Sequence, residues 1–256
     1  NYMAKVSEYM RKGKNYSDLA VYMPLEDAWM GGAYPDSMRK VKAFFWGEYE
    51  MRFINTPEEY KGMQPLWVNE HFLKDATFEN GVLRCGDADF EALYSDVEYM
   101  EIGALQEIIR LAEEGLPVIM ARMPKEPGVV KHEEYDDLIE QLVRLPQCDS
   151  PTNQPLIAGK NLPDFWIRQD GDTYYVFVAN PMTQTIEYPL DYCYAFTDKG
   201  ATRDITVNHH GKSENYTLNF KPMESIMLKI DANGIEQIDL GFEPKPMNGY
   251  KDITHE

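Results

Sequence analysis

The hydrophobic period of this 256-residue chain changes once along its length, and this change constrains the fold more than any other feature. Up to about residue 148 the apolar residues recur at helical spacing, whereas after about residue 163 they alternate as in β-strands. The stretch between, 146–163, holds four prolines and many polar residues, a composition typical of linkers. We therefore expect an α/β domain over 1–148, a linker over 149–162 and a β-sandwich domain over 163–256.

The first half contains a clear strand–helix–strand unit. Apolar runs at 92–94 and 117–120 flank one helical stripe, which Gly115 ends. The stripe consists of Ile102, Leu105, Ile108, Ile109 and Ala112. Such a crossover makes a parallel strand pair and is right-handed in nearly all cases. With a buried strand at 19–23 and a helix at 135–143, the pattern predicts an α/β domain with a parallel sheet.

Elsewhere in this half the pattern is less regular. Residues 24–36 contain two glycines and two prolines and are expected to form a loop, followed by a helix over 38–45. A helical patch is expected over 67–73, and a strand over 82–85.

The second half predicts an antiparallel β-sandwich. An Asp-Gly turn separates the apolar runs at 165–168 and 174–178, which is a strong hairpin signal. Further strands are expected at 186–190, 202–207, 215–220, 225–230 and 235–240. His209 and His210 are expected in a surface turn, where adjacent side chains tend to diverge and are poorly placed to bind a metal together.

Charge excludes several classes of partner. The chain has 25 Lys and Arg against 43 Asp and Glu, a net charge of −18. This balance argues against binding a nucleic-acid backbone and against binding an anionic membrane surface. We also find no apolar run near the roughly 20 residues of a membrane-spanning helix.

The sequence predicts neither a metal site nor a cofactor. The cysteines, Cys85, Cys148 and Cys193, are widely spaced and odd in number, so we expect thiols in the interior rather than zinc ligands or a disulfide framework. Asp87, Asp89 and Glu91 alternate as in calcium loops, but an EF-hand would need glycine where Ala92 stands. Glycine-rich phosphate loops and nucleophile elbows are absent from the sequence.

The best candidate for a binding site follows the first buried strand. Glu26, Asp27 and Trp29 stand there, and ligands of open α/β sheets bind outside the carboxyl ends of strands. Carboxylates could accept sugar hydroxyls while the indole ring covers a CH face. The alternative is a loop in which Trp29 packs and the acids face water or cap the next turn. Trp166 is a second candidate aromatic, in the sandwich.

The order of segments resembles the C-terminal region of large glycoside hydrolases of the α-L-rhamnosidase type. The stretch from Tyr9 to Pro24 is similar to the sequence that leaves the catalytic barrel in those enzymes. The other similar stretches are 67–73, 79–83, 94–124, 165–168 and 174–180. The first module also resembles the amidotransferase-like domain of β-galactosidases that have a trimerisation domain, and the likeness implies a flavodoxin-like parallel-sheet module that is non-catalytic.

This resemblance implies a non-catalytic C-terminal portion of a carbohydrate-active enzyme, structural or accessory to an upstream catalytic barrel of the same polypeptide. It implies no catalytic residue in this chain, and it favours a periplasmic or secreted location. One alternative is a carbohydrate-binding module that uses Glu26, Asp27 and Trp29, or Trp166. Another is a self-standing hydrolase that uses Glu26 or Asp27. Carbohydrate is the expected external partner, and a homo-oligomer stays open.

Overall fold

The computed structural model describes residues 2–31, 57–150, 152–183 and 200–243. In these ranges a parallel sheet with helices is joined to an antiparallel β-sandwich, which confirms the predicted fold class. The helices are α1 (Tyr2–Tyr9), α2 (Leu25–Gly31), α3 (Glu70–Lys74), α4 (Ile102–Glu113) and α5 (Tyr135–Arg144). Short 3-10 helices lie at Glu58–Met63 and Pro181–Thr183.

The strands follow in chain order. The first eight are β1 (Lys14–Asn15), β2 (Leu19–Tyr22), β3 (Leu66–Val68), β4 (Thr77–Glu79), β5 (Val82–Cys85), β6 (Ala88–Phe90), β7 (Ala92–Ser95) and β8 (Val118–Met120). The others are β9 (Ile157–Ala158), β10 (Phe165–Asp170), β11 (Thr173–Val178), β12 (Ala201–His209), β13 (Lys212–Phe220), β14 (Ile226–Asp231) and β15 (Gly234–Ile238).

The parallel sheet has the strand order β3-β2-β7-β8. All four residues of β2 and of β7 are buried, because helices and loops cover both faces of these central strands. The chain passes from β2 to β3 in one direction and then to β7 on the other side, as in flavodoxin-like sheets. The topological switch point, where such sheets bind ligands, therefore lies between the carboxyl ends of β2 and β7.

The sandwich packs a five-stranded sheet, β1-β10-β11-β14-β15, against a three-stranded sheet, β13-β12-β9. Side chains from both sheets fill the space between them, among them Ile167, Val176, Val207, Leu218 and Leu228. Helix α1 packs on the other face of the larger sheet, against Tyr175, Met227 and Leu240. The turn from β12 to β13 is tight because His210 and Gly211 both have positive φ, at 50° and 69°.

Two predictions in the first half were wrong. Residues 25–31 form α2 rather than a loop, since Glu26 and Asp27 in its first turn favour a helix N-terminus more than the surrounding glycines disfavour it. Residues 66–68 form β3 rather than the start of a helix, and the helix begins only after Asn69, whose side chain caps it. The predicted helix at 38–45 and strand at 186–190 lie outside the described residues.

Segments before and after the α/β sheet join the sandwich. Strand β1 pairs with β10, so residues 14–15 lie in the larger sandwich sheet rather than with the α/β sheet that follows them. Strand β9, within the predicted linker, pairs with β12. The boundaries at 148 and 162 stay predictions, but both sandwich sheets draw a strand from outside 163–256.

Contacts between the two modules are close and polar. The Lys61 ammonium donates to the carbonyl of Leu162 over 2.8 Å and lies 3.1 Å from the Asp164 carboxylate. A Cβ on Gly62 would lie 1.6 Å from the carbonyl oxygen of Ile157, so only glycine allows this approach. The modules therefore pack with backbone against backbone at this point.

Candidate functional site

Glu26 is buried at the switch point rather than displayed to a ligand. Its side chain is 4% exposed. Its Oε1 atom accepts from the Tyr22 hydroxyl at 2.6 Å and from the backbone N–H of Glu101 at 3.4 Å. Burial raises the pKa of this carboxyl above its ordinary value, against the lowering effect of the Tyr22 hydrogen bond. Among the described residues, its Oε2 atom has no hydrogen-bond partner.

The Asp27 carboxylate binds two backbone N–H groups on the β7 side of the switch point. Its Oδ2 atom accepts from the N–H of Glu98 at 3.0 Å, and its Oδ1 atom accepts from the N–H of Tyr99 at 2.6 Å. These amides belong to the loop that follows β7, so Asp27 fixes this loop to the first turn of α2. The acids thus bind distant parts of the chain rather than facing water or capping the next turn, and Trp29 is exposed rather than packed.

The two tryptophans lie at opposite ends of β2. Trp29 is 67% exposed on α2, beyond the carboxyl end of the strand. Trp166 is 41% exposed on β10, and its indole N–H donates to Asn15 over 3.3 Å, before the amino end of the strand. Since β2 alone spans about 13 Å at ~3.3 Å per residue, the two indoles do not share a site. Sugar binding by Glu26, Asp27, Trp29 or Trp166 stays a prediction.

A cleft between the modules gathers polar side chains that the sequence reasoning missed. It has a volume of about 180 Å³ and lies where the amino ends of β2 and β7 meet the β12–β13 turn. Five separate parts of the chain line it: Tyr16 and Asp18; Glu91; Asn153, Gln154 and Leu156; Tyr174; and Asn208, His209 and His210.

Asp18 and Glu91 are held side by side in this cleft. The N–H of Glu91 donates to the carbonyl of Asp18 over 2.8 Å, and the N–H of Ala92 donates to the same oxygen over 3.2 Å. The Tyr16 hydroxyl donates to the Asp18 carboxylate. Burial raises the pKa of Asp18 to about 7, the Tyr16 hydrogen bond opposes this rise, and the charge of Glu91 adds to it. Asp18 therefore changes charge near neutral pH.

The two histidines do not diverge as predicted, because the tight turn places their rings together. The ring centroids of His209 and His210 are 3.8 Å apart, and the His209 ring meets Tyr174 edge to face at 5.2 Å. Burial and the neighbouring His210 lower the pKa of His209. Within the described ranges, the His209 Nε2 atom is buried without a hydrogen-bond partner. A turn expected to face only solvent thus packs an imidazole into the wall of the cleft.

Sequence spacing gives little sign of this cleft, because its residues are up to about 190 positions apart and meet only through the packing of the modules. The alternating acids at 87–91 and the His-His pair are visible in the sequence, but nothing in their spacing connects them. In fact, Asp89 forms an ion pair with Lys14, and Glu91 faces the cleft.

The described ranges show no group of three or more His, Cys, Asp or Glu side chains arranged to hold a metal ion. Cys85 is a buried free thiol whose pKa is raised to about 11 by burial, and Cys148 is a half-buried free thiol. Cys193 lies outside the described residues. None of the helices described is long and apolar enough to cross a bilayer.

No protein-family model matches the chain, and no curated protein matches it. Among solved structures, it is similar to the apo exo-carrageenase GH42 from Bacteroides ovatus, with 13% sequence identity and a TM-score of 0.36. The match covers 89% of this chain and 31% of that chain, so the chain spans less than a third of the length of this neighbour. A glycoside hydrolase is therefore a distant structural neighbour of the chain.

Proposed function

We propose that this chain is a non-catalytic portion of a carbohydrate-active enzyme that resembles the α-L-rhamnosidase-type glycoside hydrolases, and that it supports an upstream catalytic barrel of the same polypeptide. In this role the chain contributes a rigid surface rather than reacting groups. Polysaccharide or glycan breakdown outside the cytoplasm is the proposed setting.

The observation that supports this role best is that the acidic side chains at the switch point are already hydrogen-bonded within the chain. In an α/β sheet with a ligand site there, side chains at the carboxyl ends of the strands would be free to contact the ligand. Here both carboxylate oxygens of Asp27 and one of Glu26 accept hydrogen bonds from other groups of the chain. An accessory module needs this stiffness but does not need free acids at that edge.

The close contact between the modules is the second support. Buried Gln64 donates to the carbonyls of Tyr16 and Ile167 and accepts from the N–H of Ile167. These bonds, with the Lys61 contacts, fix the sandwich on the α/β sheet. A fixed pair of modules can transmit a defined orientation to a neighbouring domain.

The first test is an activity assay of the 256-residue chain on aryl glycosides, including aryl α-L-rhamnoside and aryl β-D-galactoside. We expect no turnover above that of buffer. Robust hydrolysis that disappears in a Glu26→Gln, Asp27→Asn double variant would instead establish the self-standing hydrolase.

As a second test, the reading frame upstream of Asn1 should encode a catalytic barrel, and an unrelated upstream sequence would contradict the accessory role.

A further inference from the structure

We propose that the cleft between the modules is a binding site for one small, neutral, polyhydroxylated ligand of monosaccharide size, with Glu91, Asn153 and His209 supplying hydrogen bonds to its hydroxyls. This site goes beyond the accessory role, because it belongs to the described residues and does not depend on an upstream domain. It also differs from the predicted site at Glu26, which lies at the opposite end of β2.

The walls of the cleft are held in place before any ligand arrives. Backbone bonds fix Glu91 to Asp18, and the Glu91 carboxylate accepts from the Asn153 amide over 2.5 Å. On the sandwich side, Asn208 donates to the carbonyl of Pro155 over 2.8 Å, and its own side-chain oxygen accepts from Ser213 over 2.7 Å. A site whose groups are already positioned loses less entropy when it binds.

The chemistry of the walls favours hydroxyl groups. Carboxylates accept hydrogen bonds, and amides both donate and accept them. A neutral imidazole donates at one nitrogen and accepts at the other. The His209 Nε2 atom has no partner within the described part of the chain, which is costly for a buried polar atom. His209 lines the cleft, so its imidazole is the group on this wall that can hydrogen-bond a ligand hydroxyl.

Charge argues against an anion and against a simple cation. The described residues that line the cleft include no lysine and no arginine, so a phosphate or a carboxylate would have no counter-ion. A cation would prefer two fully ionised carboxylates, but burial keeps Asp18 partly protonated near neutral pH, with the pKa raised to about 7. A neutral ligand meets neither obstacle.

Size and shape select a single ring. The volume of about 180 Å³ is well below the ~300–1,000 Å³ of sites for drug-sized ligands. Tyr16 and Tyr174 meet edge to face at 5.3 Å, and Tyr174 meets His209 in the same way at 5.2 Å. This run of rings supports one wall of the cleft, whose accessible surface is mainly polar and therefore suits the hydroxyl groups of a sugar.

The test is a titration of the ¹⁵N-labelled 256-residue chain with D-glucose, D-galactose and L-rhamnose, followed by amide chemical shifts. D-glucuronate and D-glucosamine serve as the anionic and cationic comparisons, and maltose tests the size limit. We expect saturable shifts at Glu91, Asn153 and Gly211 with at least one neutral monosaccharide, and weaker binding of the charged sugars and of maltose.

Two variants assign the binding to the cleft. Glu91→Gln and His209→Phe keep the size of each side chain, and each should weaken binding by about tenfold, the effect of losing one good hydrogen bond. Their matched controls, Glu79→Gln on β4 and His71→Phe on α3, change exposed residues outside the cleft and should bind as the parent does. If His209→Phe does not fold, Asn153→Ala at an exposed position replaces it.

The proposal is overturned if no neutral monosaccharide gives saturable shifts at millimolar concentration, or if only D-glucosamine or only D-glucuronate binds. It is equally overturned if the shifts centre on Trp29 or Trp166, or if the control variants weaken binding as much as the cleft variants. The glycosidase assay is independent of these outcomes, so failure of this site leaves the accessory role standing.

Discussion

Gln64 binds both backbone polar groups of Ile167: the N–H of Ile167 donates to its side-chain oxygen over 2.5 Å, and its side-chain nitrogen donates to the carbonyl of Ile167 over 3.2 Å. Beyond Asn15, the last residue of β1, the N–H of Tyr16 still donates to the carbonyl of Ile167 over 3.2 Å. The amide of Gln64 lies between the carbonyl of Tyr16 and the N–H of Ile167 and binds both groups. A side chain from the α/β module thus completes a sheet of the sandwich.

Gln64→Ala should lower the free energy of unfolding by about 2–4 kcal/mol, because it leaves the N–H of buried Ile167 and the carbonyl of Tyr16 without this partner. Chemical denaturation followed by tryptophan fluorescence measures the loss. Gln106→Ala, at an exposed position of α4, is the control and should change stability by less than about 0.5 kcal/mol. Equal effects of the two variants would show that Gln64 has no special role at the junction.

Gly13→Ala should destabilise the chain much more than Gly86→Ala. Both glycines have positive φ, at 52° and 59°, so both variants suffer the same backbone strain of about 1–2 kcal/mol. Only at Gly13 does the new Cβ also meet backbone, since it would lie 1.8 Å from the carbonyl oxygen of Gln169, whereas the space at Gly86 is open. The clash should add about 1–3 kcal/mol. Thermal denaturation of both variants checks the difference, and equal midpoints would contradict the close approach of β1 to β10.

Asp27→Ala should free the loop that follows β7. It removes both acceptors of the N–H groups of Glu98 and Tyr99, and the expected loss of stability is about 1–3 kcal/mol. The local signature is faster hydrogen exchange at these two amides. Asp87→Ala, in an exposed turn, is the matched control and should leave both rates unchanged. Unchanged exchange in Asp27→Ala would mean that the carboxylate is not the acceptor.

Asp18 should make the chain less stable as pH rises from about 4 to about 7. Its pKa is raised to about 7 by burial in the folded state, against ~3.9 in the unfolded state. Between these values the folded chain retains a proton that the unfolded chain has released, so stability falls with rising pH across this window and levels off above it. The groups that act on Asp18 are the Tyr16 hydroxyl, which opposes the rise, and Glu91, which adds to it.

Asp18→Asn removes this titration. Its stability relative to the parent should rise with pH between about 4 and 7, since only the parent loses stability there. Urea denaturation at a series of pH values measures the difference, and ¹³C NMR of the Asp18 carboxyl gives its pKa directly. Glu79→Gln should follow the parent at every pH. A measured Asp18 pKa near 4 would contradict the burial argument.

Local patterns were enough for much of the fold. The helix at Ile102–Glu113 was predicted because its apolar stripe, its glycine stop and the flanking apolar runs all agree. The hairpin from β10 to β11 was predicted because an Asp-Gly turn separates two apolar runs, and Gly171 takes positive φ there, at 58°. These signals lie within about 30 residues, so each can be interpreted without knowing the rest of the chain.

Other features depend on packing between distant segments. Three-residue β3 is too short to show a period, and its place in the parallel sheet comes from pairing with β2. Glu26 and Asp27 were correctly placed at a strand end, but only the structure shows that they bind Tyr22 and the loop after β7. Neither the partnership of Asp18 with Glu91 nor the packing of His209 onto Tyr174 has any signal in the spacing of these residues.

The pairing of β1 with β10 has a consequence for how the chain is made. Residues 14–15 leave the ribosome before any of the α/β sheet, yet their partners on β10 lie about 150 residues later. Helix α1, which precedes β1, packs on a sheet surface completed by Met227 and Leu240, later still. The segment at 2–15 therefore finds its packing partners only after residues up to about 240 are synthesised. A sandwich domain expressed alone from residue 163 would lack β1, the edge strand that pairs with β10.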